Sequence, residues 1–106
     1  MVEKSPIPSE DVFATRELSI TDSSDKVLVQ LGRPYNVSEN EAICPYRFTY
    51  RGETSGADIH GIDTFQALEL AVRNLASTLR HAPQLPVGKM YAFEPGDDMG
   101  FPEFYK

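Results

Sequence analysis

Asp58, His60 and Asp63 are spaced closely enough in the sequence to be considered as ligands of a metal ion. On a strand, Asp58 and His60 would point to one face, and Asp63 follows closely. Carboxylate and imidazole groups bind zinc or iron, but such sites need three well-placed ligands with supporting hydrogen bonds. Asp63 is placed to cap a helix instead, and a third strong ligand is missing. We therefore interpret these residues as a solvated strand face, and we predict no metal site and no cofactor.

Nucleophilic chemistry has one candidate, the single cysteine Cys44. A thiol becomes a nucleophile when a neighbouring base lowers its pKa, and both histidines are distant in sequence. Cys44 shares its predicted strand face with Tyr46 and Phe48, which favours a buried apolar role. His81 falls in the last turn of a predicted helix, where positive charge complements the helix dipole. No phosphate-binding glycine loop, nucleophile elbow or His-Glu-x-x-His pair is present, so we predict that the protein is not an enzyme.

Anion binding is suggested by Arg16, Arg47 and Arg51, which we predict to line up across neighbouring strands on the face opposite the helix. Guanidinium groups in such a row could hold a carboxylate or phosphate group. The same row could equally pair with Glu17 and neighbouring acids as a solvated face. Small-molecule or anion binding by an arginine-lined sheet face is therefore our alternative function.

The C-terminal segment combines acidic and aromatic residues, an unusual composition for a tail. Disordered tails are poor in aromatic residues, so we expect this segment to dock on a surface. That surface is either a partner protein or the open edge of the chain's own sheet. The residues that we predict to contact a partner are Glu94, Asp97, Asp98, Phe101, Phe104 and Tyr105.

Length and charge limit the remaining possibilities. A chain of 106 residues supports one hydrophobic core. Ten basic against sixteen acidic residues give a formal net charge of −6, which argues against nucleic-acid binding and favours a partner with a basic face. No apolar run has the length of a signal peptide or a membrane span, so we expect a cytoplasmic protein that does not bind membranes.

Alternating apolar and polar residues predict four strands before one helix. The alternation is typical of strands that bury one face. Pro45, which cannot donate a ladder hydrogen bond, predicts an edge or bulge position at the start of the third strand. The polar stretch 36–41 is expected to be a loop. The predicted strands cover 12–21, the residues around 27–31, 43–51 and 57–62, and 89–93 could form a fifth.

The helix begins at Asp63, a plausible N-cap, with Gln66 in the position that completes a capping box. Pro83 and Pro86 end it. Spacings of three and four residues predict that one apolar stripe of the helix covers the sheet. The side chains of that stripe are Phe65, Leu68, Val72, Leu75 and Leu79.

Together these patterns predict a two-layer α+β fold. In it, one long helix packs on a four-stranded antiparallel meander, and a C-terminal strand or arm follows. The aromatic stripe of the third strand then packs beneath the helix. Residues 1–11 are expected to be a flexible N-terminal lead-in, and 12–106 a single domain.

Three segments of this chain resemble a known family. They are the run Gly61-x-Asp63-x-x-Gln66-Ala67-Leu68-x-Leu70-Ala71, the preceding 44–48, and the following 98–102. They are similar to the DUF6968-type family of small bacterial domains of unknown function, over most of residues 13–102. The resemblance implies a compact cytoplasmic bacterial protein and brings no established catalytic residues.

We therefore predict a non-enzymatic protein-binding domain. By analogy with other small bacterial proteins, the specific hypothesis is an immunity protein that neutralises a toxin by occluding its active site. A self-associating structural domain is a further possibility, because exposed edge strands can pair between chains.

Overall fold

One helix lies on an antiparallel sheet in this protein, whose computed structural model describes residues 4–94 and 99–101. The predicted α+β class is therefore confirmed. The described residues form six strands rather than the predicted four. In chain order the elements are β1 (Val12–Ile20), β2 (Lys26–Gly32), β3 (Tyr35–Ser38), β4 (Glu41–Tyr50), β5 (Glu53–Gly61), α1 (Thr64–His81) and β6 (Met90–Tyr91).

The strand β4 is the centre of the sheet. Its residues 42–50 pair with β5 along one edge, and its other edge pairs with β2 at 46–50 and with β3 at 41–43. The strands β2 and β3 therefore follow one another along the same edge of β4, separated by Arg33 and Pro34. The predicted second strand and part of the predicted loop after it thus run along β4 as one strand with a break. The break falls at Pro34, which has no backbone N–H to donate.

Pro45 lies inside this central strand, so the prediction of an edge or bulge position is wrong. The register explains how the sheet accommodates it. In an antiparallel ladder, successive residues direct their N–H and C=O groups to opposite edges. Pro45 is matched with Asp58 of β5, and on the other edge it faces the gap between β2 and β3, where no residue pairs with it. The missing N–H of proline therefore costs no ladder hydrogen bond.

The two outer hairpins and the C-terminal strand complete the sheet. Arg51 and Gly52 both have positive φ, 53° and 81°, and form a two-residue turn that lets β5 begin earlier than predicted. At the other side, β1 pairs with β2, and its end pairs with the short β6. The predicted C-terminal strand is therefore present as a two-residue strand at the β1 edge.

The helix begins as predicted, with Asp63 as the N-cap. The Asp63 carboxylate accepts a hydrogen bond from the Gln66 amide at 2.7 Å, and the Gln66 side chain accepts one from the Ile62 amide at 2.8 Å. Gly61 permits the close contact that follows, because a Cβ atom there would lie 2.5 Å from the Ala67 amide nitrogen. The first turn of the helix is thus held directly against the end of β5.

The buried face of the helix differs from the predicted stripe. Leu75 and Leu79 are buried, Leu68 and Val72 are half-buried, but Phe65 is 79% exposed. The close approach at Gly61 places Ala67 and Ala71 at the interface, because small side chains fit where two backbones nearly touch. The stripe is rotated toward these alanines. Tyr46 and Phe48 of β4 lie beneath it, which confirms the predicted core role of the aromatic strand.

The N-terminal segment 4–11 packs against the sheet, although the sequence predicts a flexible lead-in. The Lys4 amide donates to the carbonyl of Thr54 at 3.0 Å, and the Arg33 amide donates to the carbonyl of Asp11 at 2.8 Å. Between these anchors Ile7 is buried near Gly32 and Pro45. The segment therefore crosses the face opposite the helix and packs as part of the folded domain, with the burial of Ile7 and the hydrogen bonds at both anchors opposing the entropy cost of ordering it.

The rotated helix face gives a direct stability test. Leu75→Ala removes a buried side chain, so we expect the free energy of unfolding to fall by about 2 to 5 kcal/mol. Phe65→Ala serves as the matched control, and we expect a change within about 0.5 kcal/mol because the ring is exposed. Urea unfolding followed by circular dichroism measures both values. A larger loss for Phe65→Ala than for Leu75→Ala would contradict this orientation of the helix.

Candidate functional site

Arg47 lies on the sheet face opposite the helix, as predicted, but its guanidinium group is already occupied. It is 9% exposed and donates to the carbonyls of Ser5, Tyr46 and Ala57 at 2.8 to 3.1 Å. Its remaining nitrogen forms an ion pair with Asp58 at 2.8 Å. A buried arginine needs this number of partners, because an unpaired charge out of water is costly. Arg47 therefore fastens the N-terminal segment to the sheet.

Arg16 lies on the opposite face from Arg47. The register matches Arg16 with Val29 and Val29 with Phe48, and both of these residues are buried on the helix side. Its guanidinium group donates to the carbonyls of Met99 and Gly100, at 3.3 and 2.7 Å, and lies 4.8 Å from the centre of the Phe101 ring. Arg16 therefore binds the C-terminal segment of its own chain.

Arg51 belongs to neither face, because it occupies the turn between β4 and β5. Its side chain forms an exposed ion pair with Asp25 at 3.1 Å, and this hydrogen bond raises the pKa of Arg51. The predicted row of Arg16, Arg47 and Arg51 is therefore wrong as an arrangement in space. Side chains alternate between the two faces along a strand, but this alternation does not continue through the tight turn that holds Arg51. Arg16 is an even number of positions from the buried residues of β1, so its side chain points to the same face as theirs.

The predicted partner-binding residues fall partly in the described chain. Glu94 is exposed, next to Phe93, which is 77% exposed. Phe101 is half-buried against the core, and its carbonyl accepts a hydrogen bond from Arg80 at 3.2 Å. Asp97, Asp98, Phe104 and Tyr105 lie outside the described residues. Met99–Phe101 thus docks on the apolar surface between α1 and β1.

The other chemical candidates have ordinary partners. Asp58 pairs with Arg47, and the His60 ring contacts the Glu41 carboxylate at 2.6 Å. The described residues bring together no group of three His, Cys, Asp or Glu side chains suited to a metal ion. Cys44 is buried, its thiol donates to the Gly32 carbonyl at 3.4 Å, and burial raises its pKa to about 11. A thiol in this state is a weak nucleophile at neutral pH.

An outer cleft of about 400 Å³ lies where the N-terminal segment crosses the sheet. Its lining includes Ile7, Arg33, Tyr35 and the Arg47–Asp58 pair. The Arg33 side chain forms no ion pair with any described residue and is exposed at the rim. The sequence pattern does not single out Arg33 and Tyr35, since they flank Pro34, which ends the predicted second strand. Only docking of the N-terminal segment creates this cleft.

A second surface forms at the end of the sheet where the helix begins. We call it the helix-start surface, and it consists of Val37, Glu39, Glu41, Ile62 and Phe65. Val37 is 52% exposed, Ile62 63% and Phe65 79%. The register places Ser38 opposite Glu41, and Ile62 directly follows the pair Ala42–Gly61. Ser38 and Gly61 therefore lie on the strands either side of β4, and Val37 and Ile62 adjoin them in the chain.

The sequence pattern does not indicate this surface, because its members come from two separate segments, 37–41 and 62–65. The spacing along the helix predicts Phe65 in the core, and the polar stretch 36–41 predicts Val37 in a loop. The one available signal was Ile62-Asp63, an apolar residue directly before a helix cap. Such a residue either packs on the helix or remains in solvent, and the sequence does not distinguish these outcomes.

The fold and these surfaces define a two-layer α+β domain with a docked chain segment on each face of its sheet. A family model for a domain of unknown function, DUF6968, matches residues 14–103. The protein therefore belongs to the DUF6968 family. No curated protein and no solved structure matches the chain. In the described part of the chain, no helix combines the length and the hydropathy that crossing a bilayer requires.

The docking role of Arg16 can be tested by removing its side chain. Arg16→Ala loses two charge-assisted hydrogen bonds and the contact with the Phe101 ring, so we expect unfolding to become easier by about 1 to 3 kcal/mol. Amide exchange at Met99–Phe101 should accelerate in the same variant. Arg51→Ala is the control and should leave exchange at 99–101 unchanged. Equal protection of this segment in both variants would show that Arg16 does not hold it.

Proposed function

We propose that the protein is a non-enzymatic protein-binding domain whose partner presents a basic surface. The observation that carries this proposal is the helix-start surface, where three apolar side chains are more than half exposed beside carboxylates. Exposed apolar groups next to charged groups are typical of interaction sites, in which an apolar centre supplies affinity and a polar rim supplies specificity.

The distribution of charge supports a basic partner. The chain carries a formal net charge of −6. Two of its cations, Arg16 and Arg47, are engaged with backbone carbonyls or a carboxylate inside the fold. Glu39 and Glu41 remain at the surface, and Glu41 has only His60 as an ionic partner among the described residues. A negative surface of this kind attracts a basic partner and raises its rate of association.

The specific form of the proposal is an immunity protein that occludes the active site of a bacterial toxin. In this mechanism the acidic groups meet a basic cleft in the toxin, and Ile62 and Phe65 fill apolar pockets beside it. The C-terminal residues Glu94, Asp97, Asp98, Phe101, Phe104 and Tyr105 are retained as a second proposed contact region. Phe101 would have to leave its contacts with Arg16 to act as an anchor there.

The test uses a toxin encoded beside the gene, with the purified protein at stoichiometric concentration. We expect loss of toxin activity and an affinity that falls as salt increases, since exposed charges are screened. Phe65→Ala/Glu39→Lys should weaken binding by at least about tenfold, or 1.4 kcal/mol. Glu94→Lys/Asp97→Lys/Asp98→Lys tests the C-terminal region separately.

The matched control is Phe13→Ala/Asp22→Lys, which also changes one exposed phenylalanine and one exposed acid. We expect its affinity to remain within about twofold of wild type. A fully active toxin in the presence of the wild-type protein would refute occlusion. Equal losses for the two double variants would refute the assignment of the surface while leaving protein binding intact.

The outer cleft supports small-molecule binding as a second candidate function. Its volume of about 400 Å³ is within the range of ligand pockets, and Arg33 offers a guanidinium group at its rim. The ligand class that fits is a small organic anion, held by Arg33 and in contact with Tyr35. This arrangement replaces the predicted row of arginines, of which only Arg47 lines the cleft.

Thermal unfolding with a panel of nucleotides and organic acids tests this second function. A ligand that binds only the native state raises the melting temperature, and at 100 times its dissociation constant it contributes about 2.7 kcal/mol. We expect Arg33→Ala to abolish the rise and Arg51→Ala to retain it. If no compound shifts the melting temperature, or if both variants respond equally, the cleft is not an anion site.

A further inference from the structure

The outer edge of β5 is a long row of backbone groups that face away from the sheet. All nine residues of this strand pair with β4, without a register shift. Among the described residues no strand pairs with the opposite edge. The Lys4 amide, which donates to the Thr54 carbonyl at 3.0 Å, covers one position near its start.

That hydrogen bond also shows which residues face outward. The Thr54 carbonyl accepts it on the side away from β4, and antiparallel strands alternate the direction of their backbone groups. Gly56, Asp58 and His60 therefore direct their N–H and C=O groups outward as well. These three residues form a regular edge to which another strand can add.

Other edges of the described sheet have features that discourage pairing, and β5 has fewer of them, since only the Lys4 ammonium lies beside this edge among the described residues, 3.8 Å from the Asp58 carboxylate. Natural proteins protect exposed edges with short strands, bulges, proline or lysine. The strand β3 has four residues, a register shift and a preceding proline. The strand β1 has a register shift near its start, and β6 covers only Ser19 and Ile20 at its end. The sequence of β5 contains neither lysine nor proline.

The surface beside this edge carries little net charge, unlike the protein as a whole. A groove of about 350 Å³ between β5 and α1 is lined by Ile59, Leu70, Arg73, Asn74 and Ser77. Leu70 is 37% exposed, and Arg73 lies 3.9 Å from Glu69. The Asp58 carboxylate on the edge is already paired with Arg47 at 2.8 Å and with Lys4 at 3.8 Å. A basic partner finds few unpaired carboxylates here, whereas a second acidic copy can approach without strong repulsion.

We propose that the β5 edge and this groove are the interface of a homodimer. The β5 strands of two copies pair antiparallel about a two-fold axis, so that the sheets join and the α1 helices lie side by side along Leu70 and Ser77. A second copy is the occupant because an antiparallel edge is complementary to itself and the pairing closes after two chains. The helix-start surface is composed of other residues, and the dimer does not depend on the proposed function.

Light scattering after size exclusion, over a range of concentrations, tests the dimer. We expect the mass of the wild-type protein to approach twice 11.8 kDa. Leu70→Glu/Ser77→Glu places like charges across the two-fold axis and should weaken dimerisation by at least about tenfold. Ser24→Glu/Ser38→Glu adds the same charge at exposed positions away from the groove and should dimerise like wild type.

A second pair of variants tests the strand pairing itself. His60→Pro removes an outward N–H without breaking the ladder to β4, so we expect it to weaken the dimer. His60→Ala removes only the side chain and should not. Amide exchange at Gly56, Asp58 and His60 should slow as the wild-type concentration rises. Circular dichroism confirms that each variant is folded.

Three results would overturn the proposal. The first is a monomeric mass at every concentration up to about 1 mM. The second is a dimer that Leu70→Glu/Ser77→Glu and His60→Pro leave unchanged. The third is exchange at Gly56, Asp58 and His60 that does not depend on concentration while the protein is dimeric.

Discussion

The pairing of β4 on both of its edges is the constraint on which the rest of the structure depends. A central strand leaves little freedom to its neighbours, because its backbone groups on both edges need partners. Pro45 is tolerated only where the opposite edge is interrupted, so the break between β2 and β3 and the position of Pro45 are linked. A Cβ atom at Gly32 would lie 2.5 Å from the Pro45 ring, which shows how closely the segments meet there.

The arginines of this protein hold its chain segments in place more than they present charge to solvent. Arg47 is covered by the N-terminal segment, and Gly56 lets it lie close to β5, since a Cβ atom there would be 3.0 Å from the Arg47 Cα. Arg16 and Arg80 hold Met99–Phe101 over the apolar surface beside the helix. Because these cations bind backbone carbonyls, they contribute little to a positive surface, and the exterior is acidic.

This use of cations divides the exterior into surfaces with different chemical character. The helix-start surface combines carboxylates with apolar side chains, which is the basis for proposing a basic partner. The β5 edge is nearly neutral and regular in its backbone, which suits a second copy. The outer cleft presents Arg33 and suits a small anion. The helix-start surface and the β5 edge are composed of different residues, whereas the outer cleft shares Asp58 with the β5 edge.

The sequence by itself determined the class of fold, the N-cap at Asp63 and the core role of Tyr46 and Phe48, because each follows from local periodicity or a local hydrogen bond. Only the tertiary structure decided the orientation of Phe65, since the helix is rotated by its close contact with Gly61. Arg16 follows the alternation of the buried Leu18 and Ile20 along β1, whereas the position of Arg51 depends on a turn that a linear pattern does not specify. The candidate surfaces likewise arose from segments that are distant along the chain, and long-range strand pairing alone brings them together.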